Sequence, residues 1–190
     1  METTTKKTKT NKFSPEVCFA KPFHREDKMK RSMTCLVAAL GALAFASGAM
    51  AQSSLPNQQM TPGAINPNVN QSNINQTICV HGWTATVRPD ESYTESLKKQ
   101  QIRQYGYSDM RLRDYAEDHL IPLALGGSPT SPRNLWPQPR YPSDGWTVEM
   151  KDRLEVRLSR MVCRGEISLD NARGAITSDW RRAYQIYIGQ

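Results

Sequence analysis

The chain has 190 residues, 38% of them hydrophobic and 23% charged, with a mean hydropathy of −0.63, an ordinary soluble balance with apolar content for one core. The net charge of +7 invites a nucleic-acid reading, but nine of the 25 Lys and Arg and four of the 18 acidic residues fall in residues 1–51, leaving 16 against 14, or +2, for residues 52–190. No apolar run reaches the ~20 residues needed to cross a bilayer, and the absence of a Cys-x-x-Cys pair and of a Gly-rich phosphate loop argues against a zinc finger and a P-loop enzyme.

Residues 1–28 are polar and rich in Lys and Thr, unlike any leader, so translation is expected to start at Met29 or Met33 with 1–28 a non-native upstream extension. Lys28, Lys30 and Arg31 then precede an apolar stretch from Cys35 to Ala46 and the small-residue site Ala49-Met50-Ala51. That is the pattern of a secretory signal peptide over 29–51. Cys35 opens the apolar run, whereas a lipid-anchored Cys would follow it, so a secreted or periplasmic protein with no membrane anchor after cleavage is expected. Cleavage leaves Cys79 and Cys163, and an even pair in an oxidising compartment predicts a disulfide.

Residues 52–76 are rich in Asn, Gln, Pro and Ser and predict a tether or a surface-hugging arm. From Thr77 the segments Ile78-Cys79-Val80 and Trp83 to Val87 alternate apolar and polar residues, which predicts short strands ended by Pro89. Ser92 and Glu95 have capping-box spacing, Leu97, Gln101 and Tyr105 share a face, and Gly106 suits a helix stop, so a helix is expected over 92–105. Met150, Leu154, Leu158 and Met161 or Val162 predict an amphipathic helix over 146–164. Ser168 is placed to cap a last helix whose inward face carries Ala172, Ile176, Trp180 and Tyr184.

Residues 114–140 read DYAEDHLIPLALGGSPTSPRNLWPQPR. An Asp-His pair, an apolar turn into Pro122, the Gly126-Gly127 break and a Pro-rich loop before Asn134-Leu135 predict two short antiparallel strands joined by an omega-like loop, with the 146–164 helix packed behind. Hydrolysis of a phosphodiester needs a base to deprotonate water and a cation to offset charge on the phosphate. A His near its ordinary pKa of ~6.5 and a hard carboxylate meet those needs. Neighbours on a strand point to opposite faces, so a bend must re-aim Asp118 and His119 if both serve one site.

At Asp118, His119, Pro122, Gly126, Gly127, Asn134 and Leu135 the chain resembles the HNH family of nucleases and their ββα-metal motif. It also resembles exported bacterial HNH-like proteins carrying EDHLIPL, GG, PRNLWP and KDRLE, the last found here as Lys151 to Glu155. The resemblance implies an α+β fold, a small ββα-metal hairpin-helix core with additional short strands and flanking helices, occupying residues 77–190. It implies His119 as general base, Asn134 as the residue orienting it, and Asp118 as a ligand of a catalytic divalent metal. HNH members usually add a second His or an Asn from the start of the helix, and this chain has neither there. Asp144, Thr147, Glu149 and Asp152 are the candidates in its place, and a carboxylate among them favours Mg²⁺. Arg133, Arg140 and Lys151 flank the motif and are candidate phosphate contacts. The expected protein is an exported, monomeric, metal-dependent endonuclease acting on DNA or RNA. The competing expectation is an inactive secreted module that binds nucleic acid or the envelope on the same scaffold.

Overall fold

Tyr115–His119 (β1) and Leu135–Pro139 (β2) pair antiparallel, with Tyr115 opposite Pro139 and His119 opposite Leu135, as the sequence pattern predicts. Pro137 and Pro139 have no N–H to donate, which helps keep the sheet at two strands. The structure is a computed structural model that describes residues 52–189; the expected extension over 1–28 and signal peptide over 29–51 lie outside the described residues. Among the described residues the chain is a mixture of helix and strand, an α+β arrangement, and no helix is long and apolar enough to cross a membrane.

Four helices surround the hairpin: Trp83–Val87 (α1), Glu91–Gln104 (α2), Val148–Cys163 (α3) and Leu169–Tyr187 (α4). α2 lies within a residue of the expected span, but the Ser92–Glu95 box is not used: the helix starts behind Pro89, with Asp90 at the N-cap position. Gly106, at φ +70°, ends it. The buried Gln101 donates from Nε2 to the Leu135 carbonyl at 2.8 Å and so ties α2 to β2.

α3 and α4 form the main core. Leu154, Leu158 and Val162 face Leu169, Ala172, Ile176 and Trp180, all without solvent exposure, each large aliphatic stabilising the fold by roughly 1.5–3 kcal/mol. Ser168 caps α4 as expected, accepting from Asn171 N at 3.1 Å. The helix breaks at Asp179 (φ −163°, ψ 101°), whose carboxylate accepts from Arg181 N at 2.9 Å and so starts the second half as a new N-cap.

Two sequence expectations are corrected. Ile78 to Val80 and Trp83 to Val87 are a turn and the short helix α1, not strands. Alternation over five residues suits one turn of helix equally well, and Gly82, at φ +80°, turns the chain out of line before any partner strand is met. Residues 52–76 are an arm, but not a loose one and not outside the core. Val69 and Ile74 are buried in the main cluster, Trp180 Nε1 donates to the Ser54 carbonyl at 2.8 Å, and Gln71 Oε1 accepts from Leu169 N at 2.7 Å. The polar composition that suggested a tether instead satisfies backbone: Asn70 and Asn73 form a reciprocal capping box on a 3₁₀ helix over Gln71–Gln76.

Cys79 and Cys163 are disulfide-bonded across 84 residues, joining the turn before α1 to the end of α3. In the chain-entropy account a loop of that length contributes about 4 kcal/mol.

Candidate active site

The loop between β1 and β2 is built around one side chain. Asn134 is fully buried; its Oδ1 accepts from Ile121 N at 2.9 Å, and its Nδ2 donates to the carbonyls of Ile121 at 3.0 Å and Ser128 at 2.9 Å. Gly127 is required here because a Cβ would lie 1.8 Å from the Ile121 carbonyl oxygen and 2.8 Å from Asn134 Nδ2. Arg173 on α4 closes the loop from behind, donating Nε to the Leu125 carbonyl at 2.8 Å.

Next to Ser128, the Pro129 carbonyl meets His119 Nε2 at 2.9 Å. A carbonyl only accepts, so Nε2 carries the hydrogen and Nδ1 of the neutral ring is the basic nitrogen. Burial holds the imidazole below its ordinary pKa; the Pro129 bond and Asp118 oppose this, while Lys151 and Arg88 add to it. Among the described hydrogen bonds, Asn134 makes none to the imidazole. It positions His119 through the backbone, by anchoring the residue before the one that holds the ring.

His119, Asp118 and Glu117 all line one cavity of about 220 Å³, with Arg88, Asp152 and Glu155. A neighbouring cavity of about 280 Å³ shares Arg88, Glu117 and His119. The expected re-aiming is therefore present: the strand ends at His119, and residues 118 and 119 reach the same space. Glu117, two positions before His119 and so on its face of the strand, has both carboxylate oxygens buried without a hydrogen-bond partner. Burial, then the Asp118 charge, push its carboxyl up to about 8, with Lys98 opposing.

Lys151 overturns its expected role. It is fully buried, and its Nζ lies 2.6 Å from Asp118 Oδ2, 2.5 Å from Glu155 Oε1 and 2.8 Å from the His119 carbonyl. Its hydrogen bonds go to Glu155 and the His119 carbonyl, its charge is paired with Asp118, and full burial keeps it from an external phosphate. Burial works against the charge, but Asp118 and Glu155 outweigh it and hold the lysine above its usual pKa. Burial likewise raises Glu155, to about 7.

The divalent ion that the resemblance implies does not fit this donor set. Asp118, its expected ligand, is taken by an internal ammonium, and among the described residues no three His, Cys, Asp or Glu side chains are grouped to hold a metal ion. Of the proposed additional ligands, only Asp152 lines the cavity, its carboxyl raised by burial and then by Asp118. Asp144 is turned elsewhere, accepting from Ser54 Oγ at 2.6 Å and Arg181 Nη1 at 3.2 Å, and so fastens the N-terminal arm to α4. Glu149 is exposed in the first turn of α3, where a carboxylate suits the helix dipole, and Thr147 occupies the N-cap position. Arg133 is exposed, and neither it nor Arg140 lines the cavity. Arg88 does, and sequence reading missed it because its position depends on α1, which the pattern misassigned. Glu117 was within reach of the period-two rule from His119.

The class of protein these features define is a small α+β domain, disulfide-bonded, with an acid–base cavity at the end of a hairpin. Comparison with family models, curated proteins and solved structures gives no match.

Proposed function

We propose that this cavity cleaves phosphodiester bonds in DNA or RNA, that the protein is an exported nuclease, and that the hairpin with α3 behind it is related to the ββα core of HNH enzymes. The observation that carries the reading is the Pro129 carbonyl on His119 Nε2, which leaves Nδ1 as the unprotonated nitrogen of a ring that lines the cavity. His119 takes a proton from the attacking oxygen, water or an RNA 2′-hydroxyl. The new P–O bond forms as the bond to the leaving oxygen breaks, and the Glu117 carboxyl returns a proton to that oxygen. Arg88 offsets phosphate charge. Glu117 and His119 lie on one face of β1, about 7 Å apart along the strand, room for a phosphate between donor and acceptor. Export is supported by the disulfide, which belongs to an oxidising compartment.

A second reading, a binding module without turnover, is favoured by one observation: Lys151 neutralises the carboxylate that the resemblance assigns to catalysis. Incubation of the purified protein with plasmid DNA and with RNA, in Mg²⁺, Mn²⁺ or EDTA, decides between them. Cleavage that survives EDTA is expected, as is a loss of at least ~10²-fold in His119→Ala measured at a temperature where the variant is still folded. Cleavage strictly requiring Mg²⁺ would return Asp118 to the role of metal ligand, and no cleavage of either substrate would leave the binding module.

A further inference from the structure

The outer face of α3 carries Arg153, Arg157 and Arg160, continued by Arg164 one residue past its end. Steps of four, three and four residues keep the side chains on one narrow stripe, spread over about 17 Å. All four are exposed, and with Val156 and Ile188 they line a groove of about 460 Å³. Packing does not account for them, since Leu154, Leu158 and Val162 make the buried face. Local partners do so only at the ends: Arg153 makes a cation–π contact with the Tyr184 ring at 5.4 Å and Arg164 is 3.7 Å from Glu166, while Arg157 and Arg160 have no acidic partner among the described residues. Like charges at this spacing destabilise a helix slightly, so neither packing nor helix stability accounts for the row.

The groove's one acid, Asp152, also lines the His119 cavity, so the two sites adjoin. We infer that the groove holds the sugar-phosphate backbone of a single-stranded nucleic acid and leads it to His119. The inference rests on the reading of the cavity as one that acts on nucleic acid. Guanidiniums around an apolar floor of Val156 and Ile188 suit a single strand, which offers phosphates and unpaired base faces together; a duplex offers this groove phosphates alone. The near-neutral net charge of residues 52–190 is no obstacle, because the field that recruits a polyanion is local.

The test is fluorescence anisotropy of labelled single-stranded RNA and DNA oligonucleotides over a salt series in EDTA, using His119→Ala so that nothing is cut. Each phosphate contact contributes about 0.7 to the slope of log affinity against log salt. The double variant Arg157→Gln, Arg160→Gln is therefore expected to flatten the slope by about 1.4 and to weaken binding at least tenfold at low salt. The double variant Lys99→Gln, Arg103→Gln on α2, an equal change of charge elsewhere, is expected to alter neither. An unchanged slope in the double variant overturns the inference, as does loss of binding to phosphatidylglycerol vesicles with oligonucleotide binding retained. A flattened slope with no cleavage by the parent protein supports the groove and sinks the nuclease; cleavage with an unflattened slope does the reverse.

Discussion

Asn134 and Glu117 belong to the same hairpin and are opposites. The amide is fully buried, with both its oxygen and its nitrogen bonded to backbone; the carboxylate has both oxygens buried with no partner. A satisfied polar group in a low-dielectric interior fixes one backbone arrangement, whereas an unsatisfied one is held there at a cost in stability. The contrast separates the part of the motif that builds the loop from the part that lines the cavity.

Lys151 belongs with the satisfied groups and gives the largest expected effect. Lys151→Ala leaves Asp118 and Glu155 facing each other without their cation, and chemical denaturation should show a loss of about 3–5 kcal/mol. A loss under about 1 kcal/mol would mean the cluster is solvated and metal-accessible after all. Asn134→Ala should follow at about 2–3 kcal/mol, because it strands the Ile121 and Ser128 backbone groups. It should also reduce any cleavage rate, since the Pro129 carbonyl is no longer anchored.

Glu117→Gln comes last and has the opposite sign. The Glu117 carboxyl sits near 8 in the fold against an ordinary 4.5, so its neutral form is favoured by folding. That contribution is whole below about pH 4.5 and is lost as pH rises through about 8. The amide variant should match the parent in the acid range and exceed it at pH 8.5, the difference between 4.5 and about 8 setting an upper bound of roughly 5 kcal/mol that solvent reaching the carboxyl lowers. Melting curves at the two pH values check this; equal stability at both would mean that Glu117 is solvated and that its contrast with Asn134 fails.

What was legible in the sequence follows the same division. The hairpin, α2, α3, α4 and the disulfide could be read because they rest on local signals: period, caps, turn glycines and a cysteine count. Lys151 could not, since nothing in a one-dimensional pattern says that a lysine on an amphipathic helix turns inward to two carboxylates. Asp144 and Glu149 were drawn into the site by proximity in sequence, while tertiary packing gave one to the N-terminal arm and left the other in solvent. Residues 52–76 were misjudged because their few anchors, Val69 and Ile74, are sparse among polar residues whose hydrogen bonds go to backbone.

The Cys79–Cys163 bond encloses every residue named in the cavity, from Arg88 through Glu155. A single proteolytic cut anywhere within that ring therefore opens it without parting the pieces, and the clipped protein keeps one mass until a reductant is added. In a protease-rich surrounding such a nick changes the chain's topology from ring to branch, while Glu117, His119 and Arg88 stay tethered to one another.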